Sequence, residues 1–399
     1  MTSAEKFFPI GAAITLAELS DDPYPAYARL REHEPISWLP ALSMYYVTRY
    51  EDVRALLLDP KHFTTASDHS TIFDTFGAHM LTVEGAVHDR YRASFQPNFT
   101  PGVVRRHLEQ AIQHAAETLI AKIAPYGSAD LRHDFAARLP VQTMLLTFGL
   151  SLDNELQMRC WYDSFEAALA NFMGDLEIKA RAKKSVSEFH AMLDTAIAEA
   201  KPDSLIGDLF RADTNNRLSN DEIKRNLSII FFGGISTVEA LILNALAQLL
   251  KDNALHHRIR TDRALIPRLL DETMRWAGPV QSATRHVTAP VHYAGIDFEP
   301  GDIVNCMIAA ANHDPAAFER PNQFDIDRPG LSRHLGFAMG SHHCLGLHLA
   351  KTEARIAIKA VLDHLPDLKL QSGERFSSFG HEFRQPKSLW AAWATGKHN

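Results

Sequence analysis

Apolar residues recur at intervals of three and four through most of the 399-residue chain, the spacing that lines one face of an α-helix. That period predicts helices over Pro23 to His33, Glu51 to Leu58, Pro101 to Ile123, Ser151 to Ala200, Asn220 to Lys251, Ile266 to Trp276 and Leu345 to His364. Alternation of period two is confined to short pieces. These are Ile36 to Val47 and the segment VHYAGIDFEPGDIVNCMI, in which Pro300-Gly301 predicts the tight turn of a hairpin. Thr64 to Val87 and Asn312 to His343 carry neither period and are expected as irregular segments, which in compact proteins are often functional. No repeat, low-complexity tract or linker divides the chain. The pattern predicts a mainly α protein, a single domain over 1–399 with small peripheral β-sheets.

One run, Leu227 to Leu250, is long enough to cross a bilayer at about 1.5 Å per residue. It carries Ser228, Ser236, Thr237, Glu239, Asn244 and Gln248, together with Gly233-Gly234, which lipid tolerates poorly. A helix through a protein core is the expectation, with no membrane partner. The N-terminus lacks a basic region followed by an apolar stretch and a small-residue cleavage site, so a cytoplasmic location is expected.

Lys and Arg number 41 against 48 Asp and Glu, a net charge of −7, and no polybasic run occurs. That balance supplies no concentrated positive face for nucleic acid or an anionic membrane. Basic clusters such as Lys179 to Lys184 and His256 to Arg263 read as solvated helix faces. The three cysteines are Cys160, Cys306 and Cys344, the nearest two 38 residues apart. They exclude a disulfide framework and any CxxC site, and suit a reducing compartment. Cys160 and Cys306 read as buried thiols.

The densest chemistry lies in HLGFAMGSHHCLGLHLAKTEARIA, residues 334 to 357. Cys344 directly precedes a helical pattern, so its sulfur is expected at a helix N-terminus, where the dipole and unpaired N–H groups stabilise a thiolate. Two readings follow. In one, His342, His343, Cys344 and His348 form a zinc site, with Cys344 and His348 four apart on one face. In the other, Cys344 alone ligates a large flat cofactor, while Gly340 and Gly346 let backbone approach the ring and Phe337 packs beneath the loop.

Phe337-x-x-Gly340-x-x-x-Cys344-x-Gly346 resembles the haem-binding signature of the cytochromes P-450, the haem-thiolate monooxygenases, with Ala338 in place of the glycine usual there. Glu272-x-x-Arg275 resembles the family's ExxR helix, and Arg328 in FDIDRP falls where a loop-borne arginine partner is expected. A carboxylate and a guanidinium three apart on a helix can pair bidentately and bind a loop. His88, Arg92, Arg285 and His342 resemble the haem-propionate ligands, four donors for two carboxylates. The N-terminal DPYPAYARLREHEPISW, VTRYEDVRALLLDP and AANHDPAAFERPNQFDIDRP also fit bacterial members, so the resemblance covers nearly the whole chain. It implies the cytochrome P-450 fold, with haem b between the central helix and the helix after Cys344, and Cys344 as axial ligand to the iron.

Gly233-Gly234-Ile235-Ser236-Thr237-Val238 resembles the family's oxygen-activating [AG]-G-x-[DE]-T-[TV] pattern. Glycine thins the helix to leave room for dioxygen, and the threonine hydroxyl can open the helical ladder and hold water. Ser236 stands where the acidic residue is usual. Splitting the O–O bond consumes two protons, so two expectations arise: a monooxygenase with a serine-and-water relay, or a peroxygenase driven by hydrogen peroxide, which brings its own protons and electrons. Glu239 is a further candidate for the relay, although two residues beyond Thr237 it points to a different helix face.

The same resemblance places substrate contacts in the Thr64 to Met80 loop, the helix pair Phe165 to Leu193, Phe231 and Phe232, Val280 to Thr284, and the turn near Phe383. Phe73, Phe76, Phe165, Phe172 and Phe232 favour a compact apolar ligand, aromatic or terpenoid, that undergoes hydroxylation or O-demethylation. With no reductase module fused, electrons are expected from a separate ferredoxin or flavodoxin with its reductase. Arg105, Arg106, Lys351 and Arg355 are candidates for its docking face, and the protein is expected to be a monomer. From other classes, a zinc protein on the His/Cys cluster and a non-catalytic haem sensor remain as alternatives.

Overall fold

A computed structural model describes residues 7–68, 70–171, 174–199, 204–211, 217–371 and 376–395. The chain forms two compact units that are interleaved in sequence. One comprises Met1–Thr65, Ala240–Cys344 and Leu368–Ala392, the other Ala66–Glu239, Leu345–Asp367 and Trp393–Asn399.

The first unit is built on a five-stranded sheet. Ile36–Leu39 and Met44–Val47 make an antiparallel pair, Ile36 opposite Val47. Met44–Val47 then runs parallel to Ile303–Cys306, placing Val47 opposite Cys306. Ala283–Val287 lies antiparallel on the far side of that strand, and Phe63–Thr64 closes the edge. Val47, Val53, Leu56, Phe63, Val287, Phe298 and Val304 are buried in one core cluster, so the strands' apolar sides and the Tyr50–Leu57 helix exclude water together. The tight turn expected at Pro300-Gly301 forms, with the Asp302 N–H donating to the Glu299 carbonyl at 3.0 Å and Gly301 at φ 96°, but the paired strands of the hairpin turn earlier. The hairpin pairs Val291–Tyr293 with Ile296–Phe298 and turns at Ala294-Gly295, whose φ values are 49° and 84°. Two successive positive φ values match the right-handed twist of paired strands. Pro300-Gly301 instead feeds the chain into Ile303–Cys306, with the Gly301 N–H donating to the Val287 carbonyl.

The Ile266–Ala277 helix of this unit buries Glu272 and Arg275 on one face. Arg275 grips Glu272 bidentately, Nε to Oε2 at 2.8 Å and Nη2 to Oε1 at 2.7 Å. Arg328 joins through Nε at 3.3 Å from Glu272 Oε1. The two guanidinium groups also donate to the carbonyls of Asn312, Pro321, Gln323 and Arg320, which ties the long segment leading to Cys344 onto the helix.

The second unit is almost wholly helical, and its helices are shorter than the periodicity alone predicts. Pro101 to Ile123 is two helices, Pro101–His107 and Glu109–Ile123. Ser151 to Ala200 contains Glu155–Leu169 and Leu176–Ala198, the second capped by the Asp175 carboxylate on the N–H groups of Glu177 and Ile178. Thr71–Phe76, capped by Ser70, is a short helix inside a segment expected to be irregular. Leu139–Phe148 was not signalled by periodicity at all: nine of its ten residues are buried, so no polar face marks it. The central run Asn220 to Lys251 is long and apolar enough to cross a membrane, and 78% of its most apolar window is buried inside the protein.

Glu353 on the Leu347–His364 helix has its carboxyl sealed in this unit beside Thr143, and burial pushes its pKa up from 4.5 to about 8. Below pH 4.5 the group is neutral in both states and the fold keeps its full stability. As pH rises toward 8 the unfolded chain ionises while folded Glu353 holds its proton, so stability falls by about 1.4 kcal/mol per pH unit, about 3 kcal/mol by neutrality. Glu353→Gln has no proton to lose and should flatten this slope. Urea midpoints of both proteins between pH 5 and 8 measure it.

Candidate active site

In the first unit Cys344 ends a tight loop in which its N–H donates to the Phe337 carbonyl at 3.0 Å. Gly340 lies at φ 76°, and a Cβ there would stand 2.5 Å from the Leu57 carbonyl oxygen, so only glycine closes the turn. Ala338 is also left-handed, at φ 55°. The change from the usual glycine is therefore strained, at a cost of about 1–2 kcal/mol for a residue with a Cβ. Ala338→Gly should raise the urea unfolding midpoint by the equivalent of about 1 kcal/mol, the gain being trimmed by glycine's freer unfolded chain.

The helix after the cysteine begins at Leu347 with Gly346 as its N-cap, so Cys344 sits two residues ahead of the cap rather than within the first turn. Its thiol is exposed, and a Cβ on Gly346 would meet nothing within 4 Å. His342 is half-buried with Nε2 3.1 Å from the Thr65 hydroxyl. Arg285, on the Ala283–Val287 strand, is buried and donates from Nη1 to the Thr284 carbonyl. Val280 and Phe383 face each other as a β-bridge. Among the described residues no three His, Cys, Asp or Glu side chains gather to hold a metal ion, which leaves the zinc reading without a ligand set. Cys306 is fully buried and its thiol is pushed up to about 11 by desolvation, a packed and inert sulfur. Cys160 differs from expectation: it lies on the solvent face of its helix.

In the second unit the central helix breaks where the oxygen-activating pattern lies. Asn220–Gly233 ends, and a helix resumes at Ser236. The Thr237 hydroxyl donates to the Gly233 carbonyl at 2.7 Å, the local competition with the helical ladder that the motif requires. The two glycines have different roles. A Cβ on Gly234 would stand 2.5 Å from the Met144 sulfur, so its absence lets the Leu139–Phe148 helix pack closely. Gly233 is exposed and a Cβ there would meet nothing, a bare patch of backbone beside buried Phe232.

Ser236 is buried, its hydroxyl beside that of Tyr162. Tyr162 donates in turn to Glu166 at 3.4 Å, and its ring stacks on Phe232 at 5.6 Å. Burial, then the Glu166 charge, hold the Tyr162 phenol well above its ordinary pKa; burial and neighbouring Glu239 raise the Glu166 carboxyl. Glu239 itself is fully buried, with Oε1 2.8 Å from Arg132 Nε and Oε2 3.2 Å from Arg159 Nη1. Both of its oxygens are committed to guanidinium groups, which removes the reason for placing it in a proton relay. Tyr162 and Glu166 take its place as the titratable pair next to Ser236. Nothing in the sequence marks them apart from neighbouring helix residues.

His88 and Arg92 lie four apart on the Gly85–Phe95 helix, one face of it. His88 is buried with Nδ1 3.2 Å from Asp89, and Arg92 donates from Nε to Gln96 at 3.4 Å. Phe76 packs edge-on against Phe165 at 5.1 Å and lies 6.3 Å from Phe232. Phe73 is half-buried on the same short helix, and Phe172 falls outside the described residues.

Taken unit by unit, the residues include groups of the kind that a sulfur-ligated flat cofactor with acidic side arms requires. The first unit offers an exposed thiol and the donors Arg285 and His342, and Gly346, with open space over its Cα, belongs to the second. The second offers the bare Gly233 backbone and the donors His88 and Arg92.

Comparison with known proteins points the same way. The cytochrome P450 family pattern matches residues 141–376, more than half of the chain. Pulcherriminic acid synthase of Bacillus subtilis (strain 168) is 28% identical over 390 residues, covering 94% of this chain and 96% of that protein. The cytochrome P450 monooxygenase PikC of Streptomyces venezuelae is 29% identical, covering 95% and 93%. Among solved structures, cytochrome P450 CREJ in complex with (4-ethylphenyl) dihydrogen phosphate superposes with a TM-score of 0.87 at 27% identity, covering 96% of this chain and all of that one. The chain belongs to the cytochrome P450 family, oxygen-incorporating oxidoreductases that hold haem b through a cysteine thiolate.

Proposed function

We propose that the chain acts as one haem domain, with Cys344 as the axial ligand, and inserts one oxygen atom from O2 into a small hydrophobic, aromatic or terpenoid substrate. The chain passes back and forth between its two units, so neither is a contiguous stretch that could fold from one piece of sequence. Haem supplies the redox chemistry: two electrons, two protons and O2 convert R–H to R–OH and water. The protein's own contribution begins with charge. Arg92 and Arg285, with His88 and His342, supply donors for the two haem carboxylates. The exposed Cys344 thiol, on a loop closed by the Cys344 N–H donating to the Phe337 carbonyl, is the single observation that carries the ligand assignment.

Proton supply is the step on which this chain departs from its family. The Thr237 hydroxyl is oriented by the Gly233 carbonyl, and the adjacent Ser236 leads to Tyr162 and the raised carboxyl of Glu166. A carboxyl that holds its proton closer to neutrality suits a reservoir feeding a hydroxyl chain. The peroxide-driven alternative rests on the same serine. Coupling, the fraction of NADH electrons recovered in product, separates the two: Ser236→Asp should raise coupling several-fold with O2 and leave peroxide-driven turnover nearly unchanged. An unchanged coupling would remove Ser236 from the relay.

Electrons come from a separate ferredoxin or flavodoxin with its reductase. Arg105 and Arg106 are exposed at the end of the Pro101–His107 helix and favour an acidic partner. Arg355 contributes less, since its Nη2 pairs with Glu109 at 2.5 Å. A cytoplasmic monomer completes this reading, and the alkylphenyl ligand named for the CREJ complex accords with a small aromatic substrate. The decisive first experiment is the spectrum of the purified protein reduced under carbon monoxide: a red-shifted Soret band supports a thiolate-ligated haem, and a protein that binds no haem ends the proposal.

A further inference from the structure

In the second unit two nitrogen donors from different elements come together without an acceptor. His79 is fully buried, and its Nδ1 accepts the Leu81 N–H at 3.1 Å, so the neutral ring carries its proton on Nε2. Among the described residues that Nε2 has no partner. Arg225, on the Asn220–Gly233 helix, has a buried Nε that is likewise unpartnered. Among the described residues its guanidinium makes no ion pair, whereas nearby carboxylates are taken: Glu222 by Arg90, Tyr91 and Ser219, and both Asp194 and Asp221 by Lys224. Buried polar groups are nearly always satisfied, so two orphaned donors on a loop and helix that lie against each other, one of them fully charged, call for a specific acceptor.

The arrangement is built rather than incidental. Asn226, next to Arg225, accepts the Met80 N–H at 2.9 Å and pins the loop to the helix. Thr82 ties the loop to itself through the N–H and carbonyl of His79. Gly77 is at φ 74°, and a Cβ there would stand 3.1 Å from Arg225 Cδ, so the glycine lets the loop lie against the arginine stem. An apolar wall adjoins the donors. His79 meets the Phe76 ring edge-on at 6.2 Å, and Phe76 packs on Phe165 and Phe232. Arg225 and Phe232 are seven residues apart, two turns along one face of the same helix.

We propose that Arg225 and His79 form a carboxylate anchor, and that the substrate is an apolar or aromatic molecule bearing one carboxylate, its body against Phe76 and Phe232. The inference deepens the monooxygenase reading and rests on it. Arg225 supplies the charge and His79 a neutral N–H that fixes one oxygen. The histidine stays neutral across the working range, since burial and the adjacent arginine hold its pKa down at about 3.

The test is calorimetric, on the haem-loaded protein, with 4-phenylbutanoate and its uncharged match 4-phenylbutanamide. The wild type should bind the acid at least about tenfold tighter than the amide. Arg225→Gln should weaken the acid about 10–100-fold, the range of a charged hydrogen bond, and move the amide by less than about threefold. Arg225→Lys, which keeps the charge and loses the fork, should recover part of the preference, and it substitutes if the glutamine variant fails to fold. Equal binding of acid and amide to the wild type overturns the anchor, as does an equal loss of both in Arg225→Gln. Inorganic phosphate that competes with the acid as strongly as unlabelled acid does would reassign the pair to a free anion and also overturns it. Each of these outcomes leaves the carbon-monoxide spectrum unaffected, so failure of the anchor and failure of the haem reading are told apart.

Discussion

Cys344→Ser should eliminate the red-shifted Soret band of the reduced carbon-monoxide complex and, with it, O2-driven turnover. A serine hydroxyl does not ionise near neutrality, so it offers the iron neither the charge nor the polarisable sulfur that favours O–O cleavage. The loss should exceed the roughly 10–100-fold that removing an outer-shell partner costs at metal sites, because here the ligand itself is gone. The fold should survive. Cys344 is exposed, and its loop is held by backbone hydrogen bonds and the Gly340 turn, none of which uses the sulfur. Far-ultraviolet circular dichroism identical to that of the wild type, with the band absent, is the expected pair of observations. A retained band would assign the ligand to another residue.

The second large effect falls on stability. Glu272→Gln should lower unfolding free energy by about 3–5 kcal/mol, read as a collapse of the urea midpoint. The side chains of Glu272, Arg275 and Arg328 are all at most 3% exposed. Glutamine keeps the shape of the carboxylate but leaves two guanidinium charges in the core with no anion. Arg275 and Arg328 cannot shed their protons, so the cost is not relieved by neutralisation. The pair Arg258–Asp327 is the control. It has comparable geometry, 2.6 Å and 2.8 Å, but about half of each side chain is exposed. Water already solvates those charges, so Asp327→Asn should hardly move the midpoint. Similar losses in the two variants would mean that burial is not what gives the triad its weight. Because the triad also holds the segment leading to Cys344 through carbonyls of residues 312 to 323, Glu272→Gln should lose haem on heating before the rest of the protein unfolds.

Much of the helical content was legible as periodicity because an amphipathic helix advertises its buried stripe every three to four residues. Tyr24–His33, Tyr50–Leu57, Ile266–Ala277 and Leu347–His364 fall within two residues of their predicted bounds. The motifs were legible for a different reason. Glycine where backbone must turn or come close, one thiolate at a loop end, and a carboxylate–arginine pair three apart are chemical requirements that few other residues meet. Leu139–Phe148 was invisible because it is buried all round, so the missing polar face erased the signal that identified the others. The helix break at Leu108, the helix end at Leu169 and the helix start at Leu176 were also hidden, since apolar spacing runs on through such points when both sides still face a core.

Taken by itself, the order of residues determined the kinds of element, the loop that presents Cys344 and the family to which the chain belongs, because those follow from local periodicity and from residue types at short spacing. The tertiary structure alone decided that Met44–Val47 lies beside Ile303–Cys306, that Glu239 is consumed by Arg132 and Arg159, and that Ser236 meets Tyr162. It alone left Arg225 Nε and His79 Nε2 without acceptors among the described residues. Each of these depends on which side chains reach one another across long stretches of sequence and on how much water is excluded between them. Burial and pairing set whether a charge is locked, raised or available, and neither is written in the spacing of residues along the chain.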